Sequence, residues 1–248
     1  MSTAGVVGVD VGGSGIKGAP VDLEQGEFAT ERTRIETPQP STPENVAQVV
    51  KEVLDKVGVD GPVGITLPAV VRSGVVKTAA NIDHSWIGVD AVDLFGKATG
   101  RSVRVVMNDA DAAGVAEMHY GIGRDRKGVV ILVTLGTGIG SALFVDGELV
   151  PNTELGHLPL HGDDAEKWAA ASVRENEQLS WKEFAHRLQR YFELLERLFW
   201  PDLIVVGGGV SKRADRFLPR IELDTELAAA TLYNDAGIIG AALLAQRG

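Results

Sequence analysis

The chain has 248 residues, enough for one large domain or two small ones, and its 44 % hydrophobic and 23 % charged residues suit an ordinary globular protein. A formal net charge of −10 argues against nonspecific nucleic-acid binding, no apolar run approaches the roughly 18–20 residues of a membrane span, and no basic residue precedes the first apolar run as it does in a signal peptide. Cysteine is absent, which excludes disulfides and cysteine-ligated zinc and fits a cytoplasmic protein.

Residues 5–11 read as a buried strand running into VDVGGSGIKGAPVD at 9–22. Gly13, Gly15 and Gly18 spell G-x-G-x-x-G, the dinucleotide fingerprint. That site needs a helix to open at the glycines, and Gly18 and Pro20 make residues 16–22 a poor helix. No Gly-Lys-Ser/Thr closes a Walker A loop. The stretch therefore reads as strand, glycine turn, strand, with Asp10 at the mouth of the turn. Backbone amides of such a turn can cradle phosphate oxygens, and Asp10 can face a cation bound to that phosphate. At this point an ordinary tight hairpin explains the stretch equally well.

Residues 43–57 place Val46, Val49, Val50, Val53, Leu54 and Val57 at helical spacing behind Pro43. Residues 63–71 read as a strand ending near Pro68, 91–99 as a helix and 103–107 as a buried strand. Asn108 or Asp109 ends that strand, and an alanine-rich helix follows. Residues 128–147 repeat the opening pattern. Set without gaps against Asp10–Asp22, they bring Gly136 onto Gly12, Val145 onto Val21 and Asp146 onto Asp22. Two such hairpins suggest two related lobes, each with a phosphate loop and with ligand held between them. Residues 163–176 and 180–199 read as helices. Leu188, Tyr191, Phe192, Leu195, Leu198 and Phe199 make the apolar face of the second, and Pro201 stops it. LIVVGGGVSK at 203–212 reads as a strand running into Gly207, Gly208 and Gly209, with Ser211 as a helix cap. The small-residue segment NDAGIIGAALLAQR closes the sequence as a helix.

Five motifs in this order, Asp10 with its glycine hairpin, NDA at 108–110, LGTGIG at 135–140, ELGH at 154–157 and GGG at 207–209, resemble the sugar kinases of the ROK family, within the actin-like ATPase and hexokinase superfamily. The resemblance runs essentially end to end. It implies an α/β, two-lobed actin-like ATPase or ribonuclease H-like fold. A small N-terminal lobe would span 1–110, with helix 236–248 packing back on it, and a larger lobe would span 111–235. Most ROK kinases carry a cysteine-rich zinc motif after the Glu-x-Gly-His element. This chain has LPLHGDDAEKWAAASVRENEQLSW at 158–181 instead. With TLPAVV at 66–71, AANIDHSWIG at 79–88 and FWPDLIVVGGGVSK at 199–212, that segment looks like the zinc-free polyphosphate glucokinase branch of the family.

The resemblance implies Mg²⁺-dependent phosphoryl transfer from inorganic polyphosphate, and also ATP, to the 6-hydroxyl of glucose, by a cytoplasmic homodimer with no nucleic-acid or membrane partner and no structural zinc. An ATP-only hexokinase for glucose, mannose or an N-acetylated sugar is the near alternative. The family's repressors carry a DNA-binding helix-turn-helix before the first hairpin, and Asp10 leaves no room for one. By the same resemblance, Asp109 is the general base. Asn81, Asp83, Asn108, Glu154, His157 and Glu166 bind sugar hydroxyls. Asp10 holds Mg²⁺ through water. Gly12, Gly13, Ser14, Gly15 and Lys17 line the first phosphate loop, and Gly136, Thr137 and Gly138 the second, with Gly207–Gly209 meeting nucleotide. From the residues alone, Asp109 could instead cap its helix and Asp83 could close an Asx-turn. Lys17, Arg72, Lys77, Lys167, Arg174, Lys212 and Arg213 are candidates to guide polyphosphate. His84, His119, His161 and His186 show no metal-ligand spacing.

Overall fold

The computed structural model describes residues 5–80 and 82–247. Its elements are β1 (Val6–Val11), β2 (Ile16–Asp22), β3 (Glu27–Phe28), β4 (Thr33–Ile35), α1 (Pro43–Val57), β5 (Val63–Leu67), β6 (Val71–Arg72), β7 (Val75–Val76), α2 (Ala91–Thr99), β8 (Val103–Asn108) and α3 (Asp109–Tyr120). There follow β9 (Val129–Leu135), β10 (Ile139–Val145), β11 (Glu148–Val150), β12 (Pro159–Leu160), β13 (Asp163–Asp164), α4 (Glu166–Ala169), α5 (Ala171–Asn176), α6 (Trp181–Phe199), β14 (Leu203–Gly207), β15 (Glu226–Ala229) and α7 (Ala236–Arg247). Short 3₁₀ turns lie at His84–Trp86, Leu155–His157, Gly209–Arg216, Leu218–Arg220 and Tyr233–Asp235. The chain forms two compact units. One runs to Ala116 and resumes at Asp235; the other is Glu117–Asn234.

In the first unit the sheet order is β3-β2-β1-β5-β8, with β4 also on β2. β1 and β2 form the antiparallel glycine hairpin, while β1, β5 and β8 run parallel. α7 lies across β1, β5 and β8. Its backbone comes so close that a methyl group on Gly8 would overlap the Ile238 carbonyl, and one on Gly64 that of Ala241. α1 packs its Val46, Val50, Val53 and Leu54 face into a core with Val9, Ile65, Leu67, Trp86 and Phe95. Thr42 caps its N-terminus, and Gly58 at φ 68° ends it.

The second unit repeats the plan in the order β11-β10-β9-β14-β15. The α6 side chains Phe184, Leu188, Tyr191, Phe192 and Leu195 cover Ile131, Val133, Ile204 and Val206. Ser180 and Glu183 form a reciprocal capping box that starts α6. The helix ends at Phe199 with Trp200 left-handed at φ 47°, so Pro201 follows the stop rather than making it. Leu198 is 52 % exposed and lies off the apolar face assigned to it.

The hairpin repeat is real but not gapless. Val11 faces Ile16 across the first loop, whereas Leu135 faces Ile139 across the second. The second loop is one residue shorter. Gly12 and Gly136 therefore correspond, but Val21 corresponds to Phe144 and Asp22 to Val145. A one-residue slip matters because it exchanges the two faces of a strand. The corrected frame restores the match, with β2 and β10 both beginning on a buried Ile and ending on an exposed residue.

β5 ends at Leu67, beside the Pro68 expected to end it. Other boundaries differ. Residues 163–176 are not one helix: β13 occupies Asp163–Asp164, and α4 and α5 are split at Ala170, whose ψ of 157° is extended. Ser211 lies inside a 3₁₀ turn whose cap is Gly208, and its hydroxyl donates to the Gly208 carbonyl at 2.8 Å.

Candidate active site

The first unit gathers its polar residues at the C-terminal ends of β1, β5 and β8. Asp10 is the penultimate residue of β1. The Thr66 hydroxyl donates to its Oδ1 at 2.8 Å, and the Lys17 ammonium reaches Oδ2 at 3.2 Å. A methyl group added at Gly237, in the first turn of α7, would lie 3.6 Å from the same carboxylate. Two of about four lone-pair positions on Asp10 are thereby engaged. The others fit a hydrated cation held through water rather than one bound as a full inner-sphere cage.

Asn108 and Asp109 stand at the junction of β8 and α3. Asn108, not Asp109, is the principal cap: its Oδ1 accepts from Ala110 N at 2.8 Å and from Asp111 N at 3.1 Å, and its amide donates to the Ala69 carbonyl at 3.3 Å. Asp109 is half-buried, with Oδ1 2.9 Å from Ala110 N. Asp83 does close an Asx-turn, accepting from Ser85 N at 2.9 Å and Ser85 Oγ at 2.5 Å. Those two bonds hold its carboxyl below the usual range. Asn81 lies outside the described residues.

The two glycine loops share a property that sequence alone does not show. In the first, Thr37 donates to the Gly12 carbonyl at 2.5 Å, Arg34 to that of Ser14 at 2.8 Å, and Gly12 N to that of Gly15 at 3.1 Å. In the second, Ser172 donates through its amide to the Gly136 carbonyl at 3.0 Å and through its hydroxyl to that of Thr137 at 2.6 Å, while Gly136 N donates to that of Gly138 at 3.0 Å. The carbonyl oxygens of Gly12, Ser14, Gly15, Gly136, Thr137 and Gly138, which would repel an anion, are thus occupied, which suits these loops to phosphate. Gly13, Ser14, Gly136 and Thr137 are exposed. Thr37 and Arg34 lie outside every motif quoted above, and Thr66 and Ser172, though inside TLPAVV and the 158–181 segment, are assigned no role by sequence; only the tertiary pairing reveals what these four do.

In the second unit, Glu154 precedes the 3₁₀ turn Leu155–His157. Ser141 Oγ pins this turn to β10 by accepting from Leu155 N at 2.9 Å and donating to the Thr153 carbonyl at 2.6 Å. Gly156 is required because a methyl group there would overlap the Ile139 carbonyl. His157 Nε2 lies 3.6 Å from Glu154 Oε2, and its Nδ1 lies 3.2 Å from Asp164 Oδ2 and 4.0 Å from Glu166 Oε1. Glu166 also accepts the Ile139 amide at 3.1 Å, so α4 and the second loop meet at this carboxylate. Glu154, His157 and Glu166 come together; Asp164, which joins them, was not foreseen. The ligand atoms of His157, Asp164 and Glu166 lie within 4.8 Å of one another, a spacing a cation could use and equally one that pairs hydroxyls. Burial raises the Glu154 carboxyl, with Glu166 adding repulsion and His157 opposing. Beneath them, burial and the Glu166 charge keep the Tyr191 phenol protonated.

Gly207 ends β14, and Gly208 has φ 79° and packs against the Leu135 backbone, so the turn itself requires Gly208. Gly209 is exposed, with open space beside its Cα. Among the basic candidates, Lys167 pairs with Asp163 at 2.8 Å, and Arg174 lies 3.7 Å over the Trp181 ring.

The family model described as "ROK family" matches residues 6–172. The chain belongs to the ROK family. A polyphosphate glucokinase of Mycobacterium tuberculosis is 48 % identical over 236 residues, covering 95 % of this chain and 89 % of its own. The crystal structure of an inorganic polyphosphate/ATP-glucomannokinase from Arthrobacter sp. strain KM is 50 % identical, with a TM-score of 0.95 and 99 % of each chain covered. A ROK family glucokinase from Streptomyces griseus, in complex with glucose and AMPPNP, is 25 % identical with a TM-score of 0.85, covering 98 % of this chain and 99 % of its own. The fold is accordingly the actin-like ATPase fold of ROK sugar kinases.

Proposed function

We infer that this ROK protein transfers a phosphoryl group from inorganic polyphosphate, and also from ATP, to the 6-hydroxyl of glucose, giving glucose 6-phosphate. The observation that carries the reading is the 50 % identity and TM-score of 0.95 to the polyphosphate/ATP-glucomannokinase over 99 % of both chains, which includes the cysteine-free segment 158–181. The two loops with occupied carbonyls support it independently, since they suit an anionic donor.

In this reading Asp109 accepts the proton of the 6-hydroxyl. An Asp of ordinary basicity suffices, because phosphoryl transfer has a loose transition state and the base acts late. Glu154, His157 and Glu166 take sugar hydroxyls, together with Asn81 and Asp83. Asn108 contributes mainly by fixing the start of α3 and hence Asp109. Gly12–Gly15 and Gly136–Gly138 receive donor phosphates, and Gly207–Gly209 the nucleotide when ATP is used. Mg²⁺ would be held through water by Asp10 and would neutralise donor charge. Lys17 supplies a further positive charge at the same carboxylate.

The cytoplasmic location and the homodimer rest on the family resemblance. Among the described residues, no helix is long and apolar enough to cross a membrane.

The test is glucose 6-phosphate formation with polyphosphate and with ATP in parallel, each donor titrated against the other. Polyphosphate-driven product supports the reading. Product from ATP alone reassigns the protein as an ATP-dependent glucokinase.

A further inference from the structure

The motif glycines of the first loop are accompanied by a cation that no motif marks. β4 pairs with β2 so that Arg34 stands directly opposite Lys17. Side chains in such a cross-strand pair share one face of the sheet. Lys17 turns to Asp10. Arg34 lies along the loop instead: its Nη2 donates to the Ser14 carbonyl, and Nε, Cζ and Nη2 all lie against Gly15. Arg34 is exposed, and no described carboxylate forms an ion pair with it. Some arginines of this chain of net charge −10 are paired with acids, as Arg32 is with Asp235 and Arg126 with Glu226.

A guanidinium carries five N–H donors in a rigid fork that matches phosphate. One of Arg34's is directed to Ser14, which fixes the group beside the loop before any ligand arrives. We propose that Arg34 is a donor-specificity residue: it binds phosphate groups of the polyphosphate chain that are not the one being transferred. A polymer of phosphates offers such groups beyond the loop; ATP ends in a nucleoside and offers few. This proposal rests on the polyphosphate reading given above.

The test is the Arg34→Gln variant. Glutamine removes the charge and the fork, and its amide ends two bonds short of the Nη2 that reaches the Ser14 carbonyl. KM for long-chain polyphosphate is expected to rise about tenfold, equivalent to about 1.4 kcal/mol of lost binding. KM for ATP and for glucose should shift by less than about threefold, and the melting temperature should hold, because charged contacts away from the reacting group act through that donor alone. Raising salt should weaken polyphosphate use less steeply in the variant than in the wild type, as removal of one phosphate contact requires. Arg34→Lys should recover part of the lost affinity.

An unchanged polyphosphate KM overturns the proposal. So does a parallel rise of all three KM values with a lower melting temperature, which would make Arg34 a brace of the hairpin. A wild-type protein that uses ATP and not polyphosphate overturns both the proposal and the reading beneath it, and this failure is visible without any variant.

Discussion

Ser172 donates its hydroxyl to the Thr137 carbonyl at 2.6 Å, thirty-five positions away, while its amide serves the neighbouring Gly136 carbonyl at 3.0 Å. One residue thereby holds two consecutive peptide groups of the second glycine loop in a single orientation. Ser172→Ala removes the hydroxyl bond and leaves the amide bond. A typical bond contributes about 1 kcal/mol, so KM for the phosphate donor should rise about fivefold while KM for glucose stays within twofold. Steady-state kinetics with each substrate varied in turn checks this split.

Glu166 joins the same loop to His157. Glu166→Gln retains an acceptor for the Ile139 amide and removes the charge that faces His157. KM for glucose should rise about tenfold with little change in melting temperature, because charge-assisted hydrogen bonds are roughly twice as strong as neutral ones. Glu166→Ala should also leave the Ile139 amide unsatisfied and destabilise the protein by about 1–3 kcal/mol. Thermal unfolding separates the two variants.

Glu154 gives a pH prediction whose sign follows from burial. Its carboxyl is raised, so it takes up a proton at a higher pH than an ordinary Glu. The ionised form is the better acceptor of sugar hydroxyls. As pH falls, kcat/KM for glucose should therefore decline from above the ordinary Glu value, and Glu154→Gln should remove that acid limb. The stability effect has the opposite sense: the raised pKa contributes stability below the unfolded pKa, which is lost as pH rises through the folded one. A pH profile of wild type and variant, run with donor saturating, decides it.

Gly64→Ala tests the packing that carries the first group of residues. The added methyl would overlap the Ala241 carbonyl of α7, which is helix backbone and cannot swing aside. The expected cost is about 1–3 kcal/mol or more, with a clear fall in melting temperature. Gly13→Ala, where open space surrounds the glycine, should change stability by much less.

The elements legible in the sequence were those with local signatures. Asp10 and its hairpin, α1 behind Pro43, and α6 behind Ser180 all carry their pattern within a few residues. Glu154 and His157 could be placed together because they are three positions apart, and the 3₁₀ turn does bring them within 3.6 Å. The break between α4 and α5 was not legible. Alanine is the best helix former, so nothing local marks Ala170 as extended. Tertiary bonds accompany the break: Arg187 donates to the Trp168 carbonyl at 2.9 Å, and Ser172 is drawn to the glycine loop. Arg34 was missed for a similar reason. It comes to Ser14 only through the β2–β4 register, and no sequence spacing encodes that pairing.

The most direct measurement compares wild type with Asp109→Asn for glucose 6-phosphate formed from polyphosphate, alongside glucose binding by calorimetry. The substitution keeps the size of the side chain and an oxygen for Ala110 N. General-base catalysis contributes about 10²–10⁴-fold, so kcat should fall by that factor while glucose binds within a few-fold of wild type. An Asp109→Asn protein that turns over polyphosphate and glucose at near wild-type rate would contradict the account.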